Sequence, residues 1–124
     1  MPDYPEFVIT LAHNKSNPKQ VTLAFTLGLK GLEKGHSTAI VLLLDGVQVG
    51  QIRHVDHIDV GEPFLPVKET LPIFLENGGQ LMVCGSCWKN AGIPDTERIA
   101  GLPVISADQV IDLLFNAKAT LQLN

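Results

Sequence analysis

The 124-residue chain contains two cysteines, Cys84 and Cys87, which form a Cys-x-x-Cys motif. The two-residue spacing places their sulfur atoms one helical turn apart, within reach of a disulfide bond. An apolar segment, residues 80–83, precedes them and is predicted to be a strand, and residues 86–90 are predicted to form a turn of helix. A cysteine between a strand and a helix meets free backbone N–H groups and the positive helix end, which favour the thiolate. We therefore predict Cys84 as a nucleophilic sulfur and Cys87 as a resolving or second thiol.

Their neighbours support this chemistry but allow other roles. Gly85 lets the backbone turn tightly, and the Ser86 hydroxyl can add a hydrogen bond. Trp88 forms a wall of the site, anchors a subunit contact or packs in the core. We expect the Cys84 sulfur to point outward and the Cys87 sulfur, within the helical turn, to be less exposed. The alternative is a pair of inert cysteines that fill space as small apolar groups.

Strands and helices alternate along the chain, which is typical of an α/β fold with a parallel sheet. Apolar runs predict the strands, and segments with helical spacing of apolar residues predict the helices. Residues 46–63 give no clear pattern. The predicted strands are residues 7–12, 36–44, 80–83, 102–105 and 119–123, and the main predicted helices are residues 18–35, 66–77 and 106–117.

In a parallel sheet, ligands and reactive groups lie beyond the carboxyl ends of the strands. Cys84 is predicted at such an end, His13 follows the first strand and Asp45 follows the second. His13 could act as a base for the thiol or be a turn residue. Asp45 could orient a partner, although Asp-Gly after a strand is first of all a turn signal. Phe64 precedes the second predicted helix, residues 66–77, and is a further candidate for binding. With Leu65 and that helix it is also the candidate for the subunit contact.

The order of these motifs resembles the DsrE/DsrF-like family. The match runs through Leu81-Met-Val-Cys-Gly-Ser-Cys-Trp-Lys-Asn-Ala-Gly-Ile93, with Gly61-Glu-Pro-Phe-Leu-Pro66 upstream. The resemblance implies one domain over residues 1–124, with a five-stranded, mostly parallel sheet in a three-layer α/β/α sandwich. It also implies trimers or hexamers and, in some members, a cysteine at the position of Cys84 that carries sulfur as a persulfide. A sulfur donor or acceptor protein is then expected as a partner.

The amino-acid composition argues against some classes of binding partner. The net charge is −4 and Lys and Arg form no basic stripe, so nucleic acid and anionic membranes are poor partners. Hydrophobic residues make up 45% and charged residues only 18%, which favours burial of apolar surface in a homo-oligomer. The first residues do not form a signal peptide, so we expect a cytoplasmic protein with reduced thiols.

Two other function classes stay open. The first is a binding module without turnover, in which His13, Asp45, Phe64 and Cys84 hold a small molecule or a peptide. The second is a structural zinc protein, in which His54 and His57 join the two cysteines. No phosphate-binding glycine loop is present, and no cofactor is expected.

Overall fold

A computed structural model describes residues 3–124 and contains one five-stranded sheet. The strand order is β4-β3-β2-β1-β5, and each neighbouring pair is parallel. All carboxyl ends therefore lie along one edge, which confirms the predicted α/β class. The strands are β1 (Phe7–Leu11), β2 (Thr38–Leu42), β3 (Gln80–Cys84), β4 (Val104–Ile105) and β5 (Ala119–Leu123).

Four α-helices connect the strands, together with two short 3-10 helices. Pro18 opens the first α-helix, where its missing N–H costs nothing. Ser106 caps the last one with a capping box, since its hydroxyl accepts the Gln109 N–H and the Gln109 side chain accepts the Ser106 N–H. The helices are α1 (Pro18–Glu33), α2 (Val67–Glu76), α3 (Gly85–Asn90) and α4 (Ala107–Asn116), and the 3-10 helices are Leu44–Gly50 and Asp95–Glu97.

Each face of the sheet has its own hydrophobic core. On one face α1 and α2 meet through Phe25 and Phe74, whose rings are 5.9 Å apart in an edge-to-face contact. Trp88 of α3 joins this core. On the other face, helix α4 contributes Val110 and Leu113 to a smaller core. This arrangement is the α/β/α sandwich that the sequence predicts.

The connection after β2 departs from prediction and shapes the edge of the sheet. β2 ends at Leu42, two residues before the predicted end at Leu44, and a 3-10 helix follows at once. Leu44 has φ 51°, which no strand residue adopts. The Leu43 N–H donates to the Leu11 carbonyl over 2.9 Å, and the Gly46 N–H donates to the Leu43 carbonyl over 2.8 Å. These bonds fold the turn back over the end of β1.

Gly46 is the residue that lets this turn lie against β1. A Cβ at this position would come 2.0 Å from the carbonyl oxygen of Leu11 in β1, a strand that is paired on both sides. Any side chain would therefore push the 3-10 helix away from the sheet.

None of the helices among residues 3–124 is both long and apolar enough to span a bilayer.

We expect Gly46→Ala to lower the free energy of unfolding by about 3 kcal/mol or more, because backbone must move to admit the methyl group. Gly35→Ala is the matched control. Its Cβ would meet open space, so only the positive φ of 87° is penalised, at a cost of about 1 kcal/mol. Urea unfolding of both variants measures the difference. Equal losses would show that the contact with Leu11 does not constrain the turn.

Candidate functional site

The two thiols lie on either side of the junction between β3 and α3. Cys84 is the last residue of β3 and α3 begins at Gly85, with no loop residue between them. Both thiols are free. Cys84 is only 7% exposed, whereas Cys87 is half-buried. The expectation that Cys84 is the more exposed thiol is therefore wrong, because α3 follows the strand directly and leaves Cys84 buried at the end of β3.

Cys87 opens into a cleft of about 480 Å³ between α3 and the 3-10 helix after β2. One wall is the outer side of α3 and the other is the turn that Gly46 holds against β1. Gln48 in the second wall is fixed, because its side-chain oxygen accepts the Asn14 amide over 3.0 Å. The residues that line the cleft are Leu44, Asp45, Gln48, Ser86, Cys87, Asn90 and Ala91.

Three effects act on the acidity of Cys87. Burial raises its pKa above the usual thiol value, since the thiolate loses hydration. A hydrogen bond from the Leu44 backbone lowers the pKa of Cys87, whereas the neighbouring Cys84 thiol raises it. The net result is a raised pKa, so Cys87 is protonated at neutral pH. The Cys84 side chain and the Leu44 backbone are therefore both neighbours of the Cys87 thiol.

Leu44 holds this position in a strained conformation. A leucine with φ 51° is in the left-handed region, at a cost of order 1 kcal/mol. Its side chain is 67% exposed, so core burial does not offset that cost. The turn sets the Leu44 backbone against Cys87 and directs the leucine side chain to solvent at the mouth of the cleft. Strain of this kind concentrates at functional positions.

The sequence of residues 7–123 matches the family model of the DsrE/DsrF-like family. The chain belongs to this family. No curated protein matches it. The comparison thus agrees with the resemblance carried by the Cys84–Cys87 segment and with the five-stranded parallel sheet.

Solved structures of similar fold include proteins from E. coli, Methanobacterium thermoautotrophicum and Bacteroides thetaiotaomicron. The ychN protein of E. coli superposes with a TM-score of 0.70 at 18% identity, over 95% of this chain and 98% of that chain. MTH1491 of Methanobacterium thermoautotrophicum, a protein of unknown function, gives 0.67 at 14% identity, over 97% and 99%. BT1422 of Bacteroides thetaiotaomicron, a conserved protein of unknown function, gives 0.67 at 14% identity, over 94% of each chain. At these identities the likeness establishes the fold.

Within this family fold, the neighbours of the cysteines have distinct roles. Ser86 is exposed and lines the Cys87 cleft, in keeping with a binding role. Gly85 does not have a positive φ; a Cβ at this position would lie 3.0 Å from Val104 Cγ1 on β4, so the Val104 side chain would have to shift slightly to admit one. Trp88 is buried in the core beneath Arg98, whose guanidinium carbon is 5.3 Å from the ring centroid. Trp88 therefore packs in the core, one of the roles considered for it.

Of the more distant candidates, only Asp45 reaches the cleft. His13 follows β1, and β2 lies between β1 and β3, so the two loops are about 10 Å apart. Its Nδ1 is instead 3.5 Å from Asn17 Nδ2. Phe64 lies in the loop before α2, outside the cleft, and is exposed. The predicted binding set of His13, Asp45, Phe64 and Cys84 is therefore not assembled.

The proposed zinc ligands are also apart. Among residues 3–124, no three His, Cys, Asp or Glu side chains are grouped so that they could hold a metal ion. His54 instead makes a structural hydrogen bond, in which its Nε2 accepts the Lys15 backbone N–H over 3.0 Å. This bond ties the loop after the 3-10 helix to the loop after β1. His57, three residues on, is exposed.

Sequence reasoning missed four cleft residues: Leu44, Gln48, Asn90 and Ala91. Gln48 lies in the segment without a clear pattern. Asn90 ends a helix of only six residues, and its side chain faces the cleft because it is one turn beyond Cys87. Nothing in the sequence indicated the left-handed turn at Leu44, since leucine does not ordinarily adopt that conformation.

We predict that His54 makes stability depend on pH. Burial, and secondarily the Lys15 charge, lower its pKa below the ordinary value of 6.5, so the unfolded chain binds the proton more readily. The stability it contributes is complete above pH 6.5 and is lost as the pH falls through the folded-state pKa. Urea unfolding from about pH 7.5 to about pH 5 should show a smaller decline in His54→Gln than in wild type.

His57→Gln is the control, because it removes an exposed histidine from the same loop. It should keep the wild-type dependence on pH. An unchanged decline in His54→Gln would contradict the lowered pKa of His54.

Proposed function

We propose that this protein carries sulfane sulfur as a cysteine persulfide, with Cys87 as the thiol that meets the sulfur donor. The supporting observation is the placement of two free thiols, one in an open cleft and one buried beside it. Membership of the DsrE/DsrF-like family is consistent with this role. Reduced thiols are required, so we place the protein in the cytoplasm.

Loading is a thiol exchange at the outer sulfur of a donor persulfide. The Cys87 thiolate attacks the terminal sulfur of R–S–SH and forms a new S–S bond. The bond between that sulfur and R–S breaks, and R–S⁻ leaves as the thiolate. Because the pKa of Cys87 is raised, its thiolate is scarce at pH 7, and loading accelerates about tenfold per pH unit below that pKa.

Cys84 then determines how long the sulfur stays. If its thiolate attacks the outer sulfur of the Cys87 persulfide, the sulfur moves to Cys84 and Cys87 becomes a thiolate. If it attacks Cys87 Sγ instead, a Cys84–Cys87 disulfide forms and hydrosulfide, HS⁻, leaves. Cys84 is thus the resolving thiol in this proposal, the reverse of the order expected from the sequence.

Intact mass spectrometry after exposure to glutathione persulfide tests these roles. Wild type should gain one sulfur atom that a reductant removes. Cys87→Ser should load about tenfold more slowly or worse, because the remaining thiol is buried. Cys84→Ser should load at nearly the wild-type rate and retain the sulfur longer, because no thiol is left to attack it.

Two outcomes would contradict the proposal. If the wild-type protein gains no sulfur, the proposed carrier function is contradicted. Normal loading in Cys87→Ser combined with none in Cys84→Ser would make Cys84 the entry thiol.

We also propose that the protein forms a homo-oligomer, a trimer or a hexamer. Exposed apolar side chains support this proposal: Leu65 and Ile73 near the expected contact around α2, and Ile111 and Phe115 on α4. Phe115 is 84% exposed, the largest value among these side chains. Light scattering at micromolar concentration should give the mass of a trimer or hexamer. A stable monomer would contradict this proposal and leave the thiol chemistry untouched.

A further inference from the structure

Helix α3 separates two clefts that differ in charge. In the Cys87 cleft, Asp45 is the one lining residue with a formal charge, and no lining residue is a cation. The second cleft, of about 610 Å³, lies on the other side of α3 and holds Lys89 and Arg98 together with Asp95. Lys89 is only two residues from Cys87, yet it lines the cleft that Cys87 does not. The cations near α3 therefore belong to the other cleft.

Asp45 is held in the cleft wall without a cation to neutralise it. Its backbone belongs to the 3-10 helix that Gly46 fixes against β1. Within the described part of the chain, residues 3–124, Asp45 takes part in no salt bridge. Its side chain is exposed, so the negative charge acts on any molecule that approaches Cys87. Asp45 therefore repels an anionic donor as it approaches Cys87, in the same step in which Cys87 must lose its proton to react.

We propose that Asp45 makes the Cys87 cleft selective against anionic sulfur compounds, and that its sulfur-exchange partner is a cysteine in a basic protein segment. The choice of partner rests on the proposed sulfur-carrier function, whereas the charge selectivity does not. Lysine or arginine beside the partner's cysteine would complement Asp45. The exposed Leu44 side chain at the mouth of the cleft offers an apolar contact that a small anion such as thiosulfate cannot use.

The selectivity can be measured with disulfide probes of different charge, without any persulfide. In a Cys84→Ser background, the Cys87 thiolate attacks one sulfur of the probe, forms a mixed disulfide and releases the other half as a thiolate. The probes are dianionic dithionitrobenzoate, neutral hydroxyethyl disulfide and dicationic cystamine. Asp45→Asn should react about threefold faster with the dianion and about threefold slower with the dication at low salt. The neutral probe should be unaffected.

Asp112→Asn is the matched control, because Asp112 is an exposed aspartate on α4, across the sheet from Cys87. It should leave all three rates unchanged. Asp45→Ser removes the same charge with a smaller side chain and should reproduce the result of Asp45→Asn. Raising the salt concentration should reduce the effect of both Asp45 variants.

Two persulfidated peptides of equal length test the choice of partner, one with lysines beside its cysteine and one with glutamates. The lysine peptide should load wild type about tenfold faster, and Asp45→Asn should largely abolish that ratio. Unchanged probe rates in both Asp45 variants would overturn the charge selectivity, and equal loading by the two peptides would overturn the basic partner. If neither peptide loads wild type while the probe rates still shift, the sulfur-carrier function and the partner fail but the selectivity stands.

Discussion

The close contact between Gly46 and the end of β1 is the constraint on which the site depends. The backbone of Gly46 lies so near the Leu11 carbonyl that no other residue fits. This contact places the whole 3-10 helix over the carboxyl edge of the sheet, opposite α3. Leu44, Asp45 and Gln48 consequently line the Cys87 cleft from the same wall.

The two cysteines differ because of how the chain passes from β3 to α3. The helix starts without a loop, so the strand-end sulfur is buried while the sulfur one turn later reaches the cleft. Burial keeps Cys87 protonated, and the Leu44 backbone partly opposes that effect. In the proposed carrier role, the raised pKa of Cys87 makes its exchange reactions slow at neutral pH.

The elements of the fold could be predicted because their signals are local. Apolar runs mark the buried strands, and Ser106 with Gln109 marks the start of α4. The position of Cys84 at a strand end follows from the same pattern. The relative exposure of the thiols could not be predicted, since it depends on how α3 packs over β3. His13 and Asp45 were both placed at the correct edge, but only the strand order determines that Asp45 neighbours Cys87 and His13 does not.

The central claim is that sulfur enters through Cys87, and the position of the first sulfur added to the wild-type protein tests it most directly. The protein is exposed briefly to less than one equivalent of a persulfide donor, blocked by alkylation and fragmented by tandem mass spectrometry between residues 84 and 87. The account predicts the added sulfur on Cys87 at the earliest times, with Cys84 persulfide or the disulfide appearing later. Sulfur on Cys84 at the earliest time, with none on Cys87, would contradict it.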